Sequence, residues 1–174
     1  RHLVCMGTET TIGTTSTQDP MFIRWSDQDD YTSWSATATN SAGSQRITDG
    51  SEIVTAVRTR GQILILTDTS AHGMAFIGAP FTFGFQQLGS NCGAISPHCA
   101  LDVGGVCYWM SSDAFYKFDG TVRKIPCTVE DFIFDNIEPK QYAQVFAGSN
   151  SAFGEIWWLY CTTASNQNDR YVIF

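Results

Sequence analysis

Apolar residues in this chain come in short alternating runs, separated by polar stretches rich in Gly, Ser, Thr and Asp. His2–Met6 is followed by a long polar loop, then by Phe22–Trp25 and Asp30–Trp34. Glu52–Val57 is followed by Gly61–Asp68 and Gly73–Ile77. Ala94-Ile95 and Cys99–Val103 precede Gly105–Ser112 and Ala114–Phe118. Tyr142–Phe146 precedes Gly154–Tyr160 and Arg170–Phe174. Period-two alternation over a few residues between turn signals is the mark of a half-buried strand. Each group reads strand, turn, strand, polar turn, strand.

The central strands of the four groups start at Met21, Gly61, Gly105 and Gly154, spaced by 40, 44 and 49 residues. A repeat of that length built from short strands is the signature of a β-propeller blade. A blade cannot bury both faces of its sheet alone, so blades stack. The expected fold is all-β, with about four partial blades over residues 1–174. Phe81–Phe85 and Ser44–Ile47 are candidate fourth strands, and Asp119-Gly120 is a hairpin-turn signal. One short helix is expected near residues 128–135, with Thr128 as its cap and Val129, Phe132 and Ile133 on one face. Glu138-Pro139 reads as the opening of a second helical turn.

The stretch Met21–Trp34, MFIRWSDQDDYTSW, runs a strand into an acidic turn flanked by tryptophans. In the repeat frame Asp27 lines up with Asp68 and Asp113, each closing a central strand and able to bond its own turn backbone. Trp25 lines up with Leu66 or Trp109. The stretch therefore reads as scaffold rather than as a ligand site.

Composition narrows the classes. Hydrophobic residues make up 43% of 174 residues and aromatics 13%, enough for a real core. No apolar run approaches the roughly 18 residues of a membrane span. No signal peptide is visible. Arg1 as first residue, and an ending inside the apolar run Arg170–Phe174, point to a fragment of a longer chain. The net charge is −7, and the ten basic residues form no patch. A groove that grips phosphate needs clustered Lys and Arg, so tight nucleic-acid binding is not expected. Of the six cysteines, Cys5, Cys107, Cys127 and Cys161 sit in apolar runs, as buried free thiols do.

Candidate chemistry is sparse. Cys92, His98, Cys99 and Cys107 are conceivable zinc ligands, but zinc sites pair ligands two to four residues apart. Here His98 and Cys99 are adjacent and face opposite ways in a strand. Cys92 and Cys99 are alternatively a disulfide pair. No G-x-S-x-G elbow, phosphate-cradling loop or dinucleotide fingerprint is present. His72 lies in a stretch that reads as a solvated turn. The carboxylate pairs Asp29/Asp30 and Glu130/Asp131 are adjacent in sequence rather than facing across a cleft. Trp34 and Trp109 are candidate sugar-stacking residues. No catalytic, cofactor-binding or metal residue is assigned, and no enzyme activity is expected.

An ordered series of segments carries a resemblance. Arg24-Trp-Ser-Asp-Gln28, Ala36-Thr-Ala-Thr-Asn-Ser-Ala-Gly43, Gly50-Ser-Glu-Ile-Val54 and Gln62-Ile-Leu-Ile-Leu-Thr-Asp68 open it. Phe76-Ile-Gly-Ala-Pro80, Tyr108-Trp-Met110, Phe115-Tyr116 and Asp119-Gly120 continue it. Phe146-Ala-Gly-Ser-Asn-Ser-Ala152 and Asp169-Arg-Tyr-Val172 close it. The series resembles the β-propeller tail proteins of short-tailed bacteriophages: nozzle, tail tubular or packaged-DNA-stabilisation proteins. The resemblance covers nearly the whole chain. It implies a structural virion protein without catalytic residues. It also implies a homo-oligomeric ring of six at the tail end, contacts with the tail adaptor and fibre proteins, and DNA passing through the channel without specific binding. The loops Gly7–Pro20 and Ser33–Asp49 are long enough to serve such contacts. A different class remains open: a carbohydrate-binding or glycan-degrading propeller used in host attachment, which would bring paired acids and an aromatic platform into one pocket.

Overall fold

The computed structural model describes all residues, 1–174. The chain is mostly β, folded as four antiparallel sheets in chain order, each a meander in which consecutive strands pair. The first holds β1 (Val4–Met6), β2 (Phe22–Trp25) and β3 (Gly43–Arg46). The second holds β4 (Ile53–Arg58), β5 (Ile63–Thr67), β6 (Ser70–Gly78) and β7 (Thr82–Ser90). The third holds β8 (Ala100–Val103), β9 (Val106–Met110), β10 (Phe115–Phe118) and β11 (Val122–Ile125). The fourth holds β12 (Phe146–Asn150), β13 (Glu155–Tyr160) and β14 (Arg170–Ile173). The one α-helix, α1 (Glu130–Asn136), lies between the third and fourth sheets in sequence. No helix is long and apolar enough to cross a membrane.

The expected central strands stand where the spacing puts them, as β2, β5, β9 and β13. Three other readings are corrected. Asp30–Trp34 is not a strand, and the partner of β2 on that side is Gly43–Arg46. The Asp30 carboxylate accepts bonds from the Thr32 N–H (3.0 Å) and hydroxyl (2.7 Å), and Trp34 Nε1 donates to Tyr31 O. Those local bonds satisfy the backbone in place of a ladder. Tyr142–Phe146 is mostly a 3-10 turn, Pro139–Gln144, opened by the Glu138 carboxylate accepting from Lys140 N, and the strand begins only at Phe146. The α-helix starts two residues later than expected. Val129 caps it without a side-chain bond, so Thr128 is not the cap. Strand β11 went unread in the sequence, although Asp119-Gly120 does form the turn that joins it to β10.

Stacking explains the core. In β5, Leu64 and Leu66 join the large cluster shared with the third and fourth sheets. Ile65 joins Met21, Ile23 and Trp25 of the first. Side chains alternate across a strand, so the second sheet is buried on both faces. The third sheet is likewise sandwiched. Trp109 turns back towards Cys92, donating its indole N–H to that carbonyl at 2.7 Å, whereas Phe115 meets Trp158 of the fourth sheet at 4.9 Å between rings. By the face it presents, Trp25 corresponds to Leu66 and not to Trp109: it looks forward onto Phe83 and Phe85 of the next sheet. The first strands of three sheets gather together, with β8 packed beside both β4 and β12.

In a meander the connections alternate between the two ends. The turns β5–β6 and β9–β10 and the linkers between sheets therefore collect at one end. The linker Cys92–Cys99 threads through that end. Its Cys92 and Ala94 N–H groups donate to Thr69 O and Thr67 O of the second sheet, and Ile95 N donates to Met110 O of the third. Ser96 Oγ donates to Val145 O at 2.8 Å, and Ala147 N of the fourth sheet donates to His98 O. Gly93 is buried where a Cβ would run into the backbone carbonyl of Asp68. Replacing Gly93 by Ala is expected to cost roughly 3 kcal/mol by overpacking. Gly148→Ala, which meets open space, should stay within about 0.5 kcal/mol of the parent. Urea denaturation of both variants checks the contrast.

Candidate functional site

The end that collects the linkers is the natural place for a site, because side chains from three sheets meet there. A cleft of about 540 Å³ opens at this end, lined among others by Glu52, Asp68, Ile95, Pro97, Ser112 and Tyr142. Its acids do not face each other as a free catalytic pair. Asp68 accepts from the Ser51 N–H (2.8 Å) and hydroxyl (2.6 Å). Burial pushes the Asp68 carboxyl up, but the Ser51 hydroxyl and the N–H donors outweigh it, so the group sits below the usual carboxylate range.

The same clamp recurs. Asp27 accepts from the Ser41 N–H (2.8 Å) and hydroxyl (2.7 Å). Asp169 accepts from the Thr162 N–H and hydroxyl, both at 2.8 Å. Each carboxylate staples a turn to a neighbouring segment, and hydrogen bonds of this kind favour the ionised form. Asp27 also takes the N–H of Gln28 in its own turn, as the sequence suggested. Asp68 instead reaches back to the start of β4. The turn holding Asp113 is closed by Ser111 N donating to Ala114 O.

The cysteine and histidine candidates do not assemble. No three His, Cys, Asp or Glu side chains come together as a metal site. Cys92 and Cys99 are free thiols, as are the other four. Cys99 Sγ donates to Met110 O at 3.2 Å. Burial pushes the Cys92 thiol up to about 11 and the Cys107 thiol up to about 12, far from a reactive thiolate. Cys5, expected to be buried in its strand, faces solvent from β1 instead. His98 lies exposed against the Phe146 ring. Trp109 is fully buried, so it is no stacking platform. Trp34 stays half-buried beside Arg24 in a shallow groove. Glu130 is taken by Lys124 Nζ at 2.6 Å.

His72 overturns its sequence reading as a solvated residue: it sits in β6 at 7% exposure. Its Nε2 is 2.8 Å from Ser70 Oγ, itself buried and 2.8 Å from both Thr67 Oγ1 and Asp49 O. A serine beside a histidine invites a nucleophile reading, but proton bookkeeping opposes it. Ser70 has one hydroxyl proton, and it donates to the Asp49 carbonyl, which can only accept. His72 Nε2 is then the donor to Ser70 and not its base. The group is a buried network that pins the Asp49 segment to β6. Sequence reasoning missed it because the partners are set by strand register, which no local pattern shows.

Burial pushes the His72 imidazole below its ordinary 6.5, against smaller opposing effects of the Asp49 carbonyl and charge. The folded protein therefore takes up this proton less readily than the unfolded chain. Stability contributed by neutral His72 is complete above pH 6.5 and is lost as pH falls below that value towards the folded-state pKa. Unfolding free energy measured from pH 7.5 down to pH 5 should fall by at most about 1.4 kcal/mol per pH unit from this one group. His72→Gln, which keeps a donor for Ser70 but takes no proton, should remove that part of the slope. An unchanged slope would overturn the assignment.

No protein-family model matches the chain, and none of the curated proteins matches it.

Proposed function

We propose that the chain is a propeller-forming structural subunit of a phage tail nozzle, a homo-oligomeric ring that retains DNA and lets it pass. The observation that carries this reading is the stack of four successive meander sheets, each packed on the next, with β4, β8 and β12 side by side. Propeller blades have that arrangement. The ordered series of segments from Arg24-Trp-Ser-Asp-Gln28 to Asp169-Arg-Tyr-Val172, resembling tail proteins of short-tailed phages, supports the virion role. The charge pattern agrees with a conduit. A net charge of −7 without a basic groove favours sliding of DNA over adhesion. At the linker end Asp68 and Asp169 are committed to holding turns, which suits a rigid scaffold. The loops Gly7–Pro20 and Ser33–Asp49 are then the surfaces offered to the tail adaptor, fibres and neighbouring subunits.

A second reading has one observation in its favour. A polar groove of about 650 Å³ runs past Asp27, Gln28, Thr39, Asn40 and the exposed ring of Phe76. Hydrogen-bonding side chains beside an aromatic ring are what a glycan needs. Electron microscopy of the particle that carries this chain separates the two. The nozzle reading expects a closed ring at the distal end of a short tail, with DNA density in its channel. A peripheral position in a fibre or spike, without an axial channel, would overturn it in favour of glycan attachment.

A further inference from the structure

The second sheet carries a hairpin that outgrows it. Strand β5 pairs with β6 only from Ala71 to Met74, whereas β6 and β7 stay paired as far as Gly78 and Thr82. Residues Ala75–Gly78 and their partners thus run past the sheet as a two-stranded ribbon. At about 3.3 Å per residue the ribbon projects roughly 13 Å. It leaves from the end of the stack opposite the linkers, because the turns of a meander alternate between ends. Its base is fixed. Thr82 Oγ1 donates to Ser41 O at 3.0 Å, and the Phe83 ring packs edge-on against His2 (5.2 Å) and Trp25 (5.3 Å).

The tip is apolar all round. Phe76 is 63% exposed, Ile77 58% and Phe81 72%, and Ala79 and Pro80 between them are exposed as well. Neighbouring strand residues point to opposite faces. Phe76 stands on the face of Phe83 and His2, whereas Ile77 lies on the other face, over Gly84. Phe81 tops the turn. Charged residues make up 16% of the chain, yet no Asp, Glu, Lys or Arg falls between Asp68 and Asp102. The groove beside the hairpin accounts for only part of this. It is lined by Phe76, Ala79, Pro80 and Thr82, but not by Ile77 or Phe81.

A protein partner meets one face of a ribbon, and such contacts set a polar rim around an apolar centre. A tip that is apolar on both faces and has no charged rim fits a medium that surrounds it. The boundary between headgroups and acyl chains of a bilayer is such a medium. The backbone suits it too. Pro80 has no N–H to desolvate, and Phe83 N donates to Phe81 O at 2.7 Å.

We propose that the β6–β7 tip is a wedge for a lipid surface, seating Phe76, Ile77 and Phe81 roughly 5–10 Å into one leaflet. The ribbon is long enough to reach that depth with the sheet left outside. Charges near its base are of both signs: Asp27 lines the groove, and Arg58 and Arg60 stand at the β4–β5 turn on the same end. Attachment therefore comes from apolar burial and not from headgroup charge. The proposal goes beyond the ring reading and does not depend on DNA conduction.

Co-flotation of the purified chain with phosphatidylcholine vesicles tests it. The expected result is half-binding at on the order of 1 mM lipid, insensitive to salt. Ile77→Ser and, separately, Phe81→Ser should each weaken binding about tenfold with unchanged circular dichroism. Phe132→Ser, at a 59% exposed aromatic on α1, should leave it intact. The indole of Phe81→Trp should be quenched by lipid brominated near the headgroup end of its acyl chain. No flotation, or flotation indifferent to both tip substitutions, overturns the proposal. Flotation that needs anionic lipid and disappears with salt overturns it as well. Self-association without lipid that both tip substitutions abolish would make the tip a protein contact instead. Each of these results leaves the ring reading to the microscopy.

Discussion

The linker Cys92–Cys99 is the constraint on which the rest of the structure depends. It is the one segment bonded to three sheets at once. Its start, Cys92–Ala94, is buried without being a strand, so its backbone groups need partners that no regular ladder supplies. The neighbours provide them. Two are indoles: Trp109 Nε1 donates to Cys92 O, and Trp158 Nε1 donates to Cys99 O at 2.9 Å. These tryptophans thus fill the space between sheets and pair the carbonyls of the segment that joins them. The linker's small residues follow from the same need. Cys92, Gly93 and Ala94 lie directly on the β5–β6 turn, and the backbone bonds to Thr67 and Thr69 require that approach.

Given that seam, the stack follows from alternation. A strand whose two faces both meet other sheets must be apolar throughout, and β5, with Ile63-Leu-Ile-Leu66, is such a strand. Strand β2 buries one face only, and accordingly alternates Ile23 and Trp25 with Phe22 and Arg24. In these two strands the hydrophobic pattern reports whether one face or both are buried.

What was legible was local. Central strands, the Asp119-Gly120 turn and the Pro139 opening could be read because their signals lie within a few residues of each other. The cysteine-rich stretch from Asn91 was legible as unusual, but its role was not: its residue types suggested ligands, whereas its backbone bonds make it a seam. His72 looked solvated because a Ser-Ala-His-Gly string usually marks a turn. Only the pairing of β6 with β5 and β7 places it inside. The Asp30–Trp34 stretch failed for the opposite reason. Its aromatics favour a strand, but Asp30 bonds its own turn, and a local bond forms without waiting for a partner strand.

The carboxylate clamps show how repetition survives without repeated sequence. Asp27 with Ser41, Asp68 with Ser51 and Asp169 with Thr162 make the same paired bond from an N–H and a hydroxyl in three different sheets. Yet the partner follows its acid by 14 residues, precedes it by 17 and precedes it by seven. What repeats is the task of fixing a turn at one end of a sheet, and any acid and hydroxyl that reach each other perform it. Stability in such a stack is close to a sum of nearest-neighbour contacts. Interior sheets gain from two neighbours and terminal sheets from one. A terminal face must then be made polar, covered, or given a partner. The first sheet takes the second course through Arg24, which holds the loop before β2 by donating to Glu9 O and Thr10 O. In the fourth sheet Trp157, Leu159 and Tyr171 lie on the face turned away from the third sheet.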